Sequence, residues 1–248
     1  MKAIKECFPV SFLCRYIIFC FVILILGCVR SQPQVDRFKE LRENMVATQI
    51  EARGITNREV IEAMRNVERH LFVPETHIQH AYGDHPLPIG YGQTISQPYI
   101  VAFMTEILKL DKSSKVLEVG TGSGYQAAIL AEICDSVYTI EIVEELGMRS
   151  SLLFKNLGYS NIKVKIGDGY EGWDEYSPFD AIIVTCAPTH VPEPLKNQLK
   201  EGGRMIIPVG ERYVQELVLL TRKKGSLKQT SVLPVRFVPM VDEKDMIY

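Results

Sequence analysis

Lys115-Val-Leu-Glu-Val-Gly-Thr-Gly-Ser-Gly-Tyr125, continued by Gln126-Ala-Ala-Ile-Leu-Ala-Glu132, decides the fold. Val116, Leu117 and Val119 form the short apolar run of a strand buried on both faces. Gly120, Gly122 and Gly124 break that run, and an Ala- and Leu-rich segment resumes with helical character. Strand, glycine turn and helix, in that order, bring backbone N–H groups close to a nucleotide-like ligand.

Outward from this stretch, strands and helices alternate. Residues 137–141 read as a strand, 143–157 as a helix stopped by Gly158, and 162–166 as a strand ending in Gly167-Asp-Gly169. Residues 179–185 are a further strand, 194–200 a helix closed by Gly202-Gly203, and 204–209 a fifth strand. Residues 217–221 and 229–238 read as two more strands joined across Lys223-Lys-Gly-Ser226, an antiparallel hairpin at one edge. Repeated βα units predict an α/β fold, a doubly wound and mostly parallel sheet with helices on both faces.

Upstream, residues 35–52 carry apolar positions at helical spacing (Phe38, Leu41, Met45, Ile50), and Gly54 ends them. Thr56-Asn-Arg-Glu59 has the pattern of a capping box opening a second helix through Val60, Ile61, Met64 and Val67. Residues 71–98 are rich in proline and glycine, which predicts a loop with at most short strands, and residues 100–110 read as a helix. Long ordered loops of this kind often carry function.

The formal net charge of −2 lacks the basic excess of a nucleic-acid binder, so no nucleic-acid partner is expected. The first thirty residues differ from the rest. Lys2, Lys5 and Arg15 precede the uncharged apolar run Tyr16–Cys28, short for a membrane span and close to a signal-peptide core. It ends in Ile25-Leu-Gly-Cys28, like a bacterial lipoprotein processing box. The expectation is a signal peptide or membrane anchor over residues 1–30, with export to the periplasmic side and membrane attachment through this segment. An uncleaved anchor is the alternative, and a single domain over 31–248 follows. Cys7, Cys14, Cys20 and Cys28 belong to the leader, leaving Cys134 and Cys186 as free core thiols rather than a disulfide pair.

Gly122-Ser-Gly-Tyr-Gln-Ala127 formally matches a dinucleotide fingerprint, and Glu141 at the end of the next strand is placed for ribose hydroxyls. That alone permits an NAD-dependent oxidoreductase. Glu118 puts a carboxylate beside the glycine turn, and Asp168-Gly169 ends the third strand at the same sheet edge, suited to an adenine amino group. Carboxylates along the cleft suit a cationic or zwitterionic ligand better than a pyrophosphate. His77, His80 and His85, with Asp84 beside them, fit no helix-borne metal-ligand spacing, so no metal is expected.

Glu118-Val-Gly-Thr-Gly-Ser-Gly-Tyr125 resembles the first motif of S-adenosylmethionine-dependent methyltransferases. Ala81-Tyr82, Pro86-Leu-Pro-Ile-Gly-Tyr-Gly-Gln-Thr-Ile-Ser-Gln-Pro98, residues 116–131, Gly167-Asp-Gly169 and Arg236-Phe-Val-Pro-Met240 together resemble the protein-L-isoaspartate O-methyltransferase family. The resemblance runs colinearly over roughly residues 38–240, which a lone motif would not give. The leader departs from the familiar members, which are cytoplasmic. The resemblance implies a Rossmann-like methyltransferase fold and methyl transfer from S-adenosyl-L-methionine to the α-carboxyl of L-isoaspartyl residues in damaged polypeptides. It implies that Ser96 is the active-site residue, with Thr94, Ile95 and Gln97 holding the substrate. Glu118, Gly120, Thr121, Gly122, Gly124, Glu141, Asp168 and Gly169 are then the cofactor residues. A small-molecule methyltransferase on the same fold is the nearest alternative, and a monomer is the expected state.

Overall fold

The computed structural model describes residues 37–211 and 213–242. The expected leader, its Cys28 and the boundary after residue 30 lie outside the described residues.

The sheet explains the position of everything else. Its strands are β3 (Lys115–Val119), β4 (Ser136–Glu141), β5 (Ile162–Ile166), β6 (Phe179–Val184), β7 (Leu199–Glu211), β8 (Val214–Lys223) and β9 (Ser226–Val235). They lie in the order β5-β4-β3-β6-β7-β8-β9. β3, β4, β5, β6 and β7 run parallel, while β8 and β9 return antiparallel, the edge hairpin turning at Lys224-Gly225. The chain leaves β3 towards β4 and β5, then comes back to place β6 on the other flank of β3. That reversal opens a crevice beyond the carboxyl ends of the strands, where ligands bind in open α/β sheets.

The strands are buried because both sheet faces are covered. Val116, Val137, Ala181 and Ile183 pack towards helices α2 (Arg58–Asn66), α3 (Pro98–Leu108), α4 (Tyr125–Ile133) and α5 (Glu144–Leu157). Leu117, Ile140, Phe179 and Ile182 face the opposite core, covered by α6 (Glu193–Gln198) and by Tyr170, Trp173 and Tyr176. Each such aliphatic side chain contributes about 1.5–3 kcal/mol by leaving water.

Two local expectations are corrected. Helix α1 covers Arg37–Met45 only, after which Val46–Ile50 winds as a π-turn and Glu51–Arg53 as a 3-10 turn. β-Branched Val46, Thr48 and Ile50 crowd a helix, and the Thr48 hydroxyl donates back to the Asn44 carbonyl at 2.7 Å, a contact that bends helices. The Thr56–Glu59 capping box is also replaced. Asn57 is the N-cap of α2, its side chain accepting from Val60 N at 3.0 Å, while Glu106 of α3 accepts from Thr56 N and Asn57 N. A carboxylate fifty residues away does what the local sequence assigned to Glu59.

Residues 71–98 hold no long element, as their prolines and glycines require. Arg69–Phe72 and Glu75–His80 are 3-10 turns, and β1 (Leu87–Gly90) pairs antiparallel with β2 (Gln93–Ile95) in a separate two-stranded hairpin. Pro98 then opens α3, where its missing N–H is harmless. This hairpin carries the Thr94–Gln97 segment to the carboxyl end of β3.

Candidate active site

The turn after β3 is held by its own backbone. Gly120 N and Thr121 N donate to the Ile140 carbonyl at 2.8 and 3.2 Å, and Gly124 N donates to Thr121 O. Gly120 sits at φ 96°, and a Cβ there would lie 2.4 Å from Thr185 Oγ1. Gly124 sits at φ 87°, where a Cβ would lie 2.6 Å from the Phe154 ring. Both places exclude any larger residue, the first because the end of β6 crosses it and the second because α5 packs against it.

Three carboxylates were expected around this turn, and the structure gives them three different settings. Glu141 faces the cleft, with its two oxygens accepting from Gly122 N at 2.6 Å and Val143 N at 2.9 Å. Burial raises its pKa, and those backbone donors oppose the rise. Glu118 is fully buried beneath the turn, on the same face of the sheet as Thr139. Thr139 Oγ1 donates to its Oε2 at 2.5 Å and in turn meets Thr121 Oγ1 at 2.6 Å, while its Oε1 has no partner. Burial pushes the Glu118 carboxyl up to about 8, with Glu141 adding to the rise. Asp168, beside Gly169, caps its own turn, its Oδ1 accepting from Tyr170 N at 2.8 Å. Gly169, next to it, is the residue that reaches the cleft wall.

Two adjoining clefts result. The first is lined by Gly120, Gly122, Glu141, Ile142, Gly169 and Cys186 among others, and residues 238–241 close its far side. The second, of about 1090 Å³, is open and lies between Ser96, Gln97 and Ile100 on one side and residues 234–238 on the other. Thr94 and Thr185 line both. A narrow space bordered by Ser96, Gly120, Thr121 and Gly122 joins the two.

Among the described residues lining these clefts, Glu141 is the charged side chain of the first and Arg236 that of the second. A cleft whose charged wall is the Glu141 carboxylate fits a zwitterionic sulfonium ligand. A pyrophosphate would meet repulsion there.

Ser96 and Thr94 line the second cleft; Ile95 is buried, 3 % exposed, and packs in the core. The Gln97 amide donates to Asp84 Oδ1 at 2.7 Å, and Arg53 pairs with the same carboxylate at 3.1 Å. Gln97 therefore braces the loop, although its edge also lines the cleft. Gly124 is packed away from both clefts, and Thr121 lies at their junction.

Sequence reasoning passed over Thr185 and Cys186, which follow β6 at the switch point. Thr185 Oγ1 donates to Gly120 O at 2.6 Å and so ties the glycine turn to β6. The rule that ligands gather at strand carboxyl ends could have found it. The last strand, expected over 229–238, ends at Val235, and residues 238–241 wall the first cleft, with Met240 N donating to Ala187 O.

Comparison with known proteins bears on this arrangement. The family described as Protein-L-isoaspartate(D-aspartate) O-methyltransferase matches residues 40–245. A protein-L-isoaspartate O-methyltransferase of Opitutus terrae is 52% identical over 224 residues, covering 90% of this chain and 96% of its own. Protein-L-isoaspartate O-methyltransferase 1 of Nitrosospira multiformis is 52% identical over 222 residues, covering 88% and 94%. A Plasmodium falciparum crystal structure described as a member of the same family, in complex with S-adenosyl-L-homocysteine, superposes with a TM-score of 0.70 at 30% identity. It covers 82% of this chain and 97% of that one.

Proposed function

The chain belongs to the protein-L-isoaspartate O-methyltransferase family, and we propose that its reaction takes place where the two clefts meet, between Thr94 and Thr185. The enzyme methylates the α-carboxyl of L-isoaspartyl residues in damaged proteins and uses S-adenosylmethionine as donor. When bound, that donor supplies a methyl carbon made electrophilic by a sulfonium.

The acceptor needs no activation. An α-carboxylate has a reference pKa of about 3.3–3.7, so it is already the nucleophile near neutral pH. Among the described residues lining the clefts there is no histidine or lysine to act as base, and the chemistry asks for none. What remains is alignment and the exclusion of water. Ser96 and Thr94 aim the acceptor carboxylate across the junction. Glu141 accepts ribose hydroxyls while holding Gly122, and Glu118 supports the cofactor side from beneath the turn, holding Thr121 by way of Thr139. Gly169 lets the adenine approach, and Asp168 acts by capping the turn that presents Gly169.

The single observation that carries this reading is the pair of clefts sharing one wall, one lined by Glu141 and the glycine turn and the other bordered by Ser96 and open to solvent. Labelled S-adenosylmethionine is offered with an isoaspartyl peptide and with its aspartyl twin. Transfer to the isoaspartyl peptide alone is expected; equal transfer to both, or to neither by a folded protein that binds S-adenosylhomocysteine, would overturn the assignment.

The apolar run Tyr16–Cys28 and its Leu-Gly-Cys ending support export with lipidation of Cys28. Among the described residues no helix is long and apolar enough to cross a membrane. Cell fractionation with intact mass measures this directly: an unprocessed chain in the cytoplasm would refute it.

A further inference from the structure

Arg69 is fully buried, yet among the described residues no carboxylate pairs with it. Its Nε donates to the Ala81 carbonyl and its Nη2 to the Ser96 carbonyl, both at 2.7 Å. The guanidinium lies 4.8 Å from the centre of the Tyr125 ring, and Nη1 has no partner. Tyr125 is the first residue of α4, directly after the glycine turn, and is itself locked against Phe72 and Met64. Burial pulls the guanidinium down to about 10, which leaves it charged at neutral pH.

A lone buried cation is a costly way to fill a core, and an apolar residue of similar volume would often stabilise as well or better. The location of its contacts gives it a use. Ala81 and Ser96 flank the β1–β2 hairpin within the proline- and glycine-rich stretch that carries the acceptor side of the site. Tyr125 belongs to the cofactor side. The planar fork of arginine can bond two carbonyls at once with its ring-facing surface stacked on an aromatic, which a lysine ammonium cannot reproduce.

We propose that Arg69 is a positioning residue for methyl transfer: it closes the 81–96 loop through both its ends and sets Ser96 against the glycine turn by way of Tyr125. The inference rests on the reading of Ser96 given above.

The test is a double-mutant cycle on the full chain with Arg69→Lys and Ser96→Ala, following turnover of an isoaspartyl peptide and affinity for S-adenosylhomocysteine. Arg69→Lys is expected to lower kcat about 10- to 100-fold, the scale of a small misplacement of a reacting group, with cofactor-product affinity within about twofold of wild type. In the Ser96→Ala background the same substitution is expected to cost less than about threefold, because the two residues act on one step. A full, additive loss would overturn the inference, as would unchanged kcat or an equal fall in S-adenosylhomocysteine affinity. If Ser96→Ala alone leaves turnover unchanged, the Ser96 reading fails by itself and takes the inference with it. Should Arg69→Lys not fold, Arg69→Gln removes the charge and keeps one donor. If neither folds, Arg69 serves only the fold and the proposal is wrong.

Discussion

Around the glycine turn, backbone bonds from Gly120, Thr121, Gly124 and Thr185 are joined by the Glu141, Thr185 and Ser150 side chains, all from elements of the sheet and its flanking helix. Across the cleft, the loop that carries Ser96 is tied down by side chains. Arg69 reaches Ala81 and Ser96, Arg149 reaches the Ile89 carbonyl at 3.1 Å, and Asp84 holds Gln97 and Arg53. The donor half of the site is thus a product of sheet topology. The acceptor half lies outside the main sheet, with Leu87, Ile89 and Ile95 packed into the core, and its polar bracing can be removed one contact at a time without touching the sheet.

That contrast makes the largest effects on stability and on cofactor-product binding fall on the donor half. Gly120→Ala forces a Cβ to within 2.4 Å of Thr185 Oγ1 at a left-handed φ. The backbone strain of about 1–2 kcal/mol and the overpacking of about 1–3 kcal/mol act together. The urea midpoint should fall accordingly, and S-adenosylhomocysteine affinity should drop at least tenfold by calorimetry. Normal binding by this variant would show that the turn is softer than its hydrogen bonds imply.

A smaller effect sits beneath the same turn. Glu118 has an ordinary pKa of 4.5 and is pushed up to about 8 by burial in the folded protein. The folded state therefore holds this proton where the unfolded chain has released it. The contribution to stability is full below about 4.5 and is lost as pH rises towards about 8, by a few kcal/mol over that window. Glu141 is raised in the same direction. Without ligand, the wild type should lose stability from pH 5 to 8 more steeply than Glu118→Gln in denaturant titrations. Parallel curves would mean that Glu118 is ionised throughout.

The smallest effect belongs to the acceptor half. The Arg53–Asp84 pair is exposed and worth at most about 1 kcal/mol. Asp84→Asn should change peptide kcat/KM by less than about fivefold and leave S-adenosylhomocysteine binding alone. A larger loss would place Asp84 among the groups that position Ser96.

The same division explains what could be read from the chain. The parallel strands announce themselves as apolar runs closed by glycine, and the edge hairpin as two runs flanking Lys224-Gly225. Those signals are local, and the sheet follows from them. The acceptor half is fixed by contacts between distant residues, so the sequence names the segment but not its bracing. Arg69 reads as one more charge on a polar turn until its two carbonyls are seen. Glu106 capping α2, and Asp168 turning back to its own backbone, are choices between partners that spacing cannot decide. Thr185 was missed for a different reason. It ends a strand like many others, and only the strand order puts it beside Gly120.

The separation of the two halves is tested most directly by Ser96→Ala, with S-adenosylhomocysteine affinity and isoaspartyl-peptide turnover measured on one preparation. Turnover should fall about 100-fold while affinity stays within about twofold, because the hydroxyl aims the acceptor and the donor half does not rest on it. Turnover and affinity falling together would contradict this account, and so would turnover that does not fall.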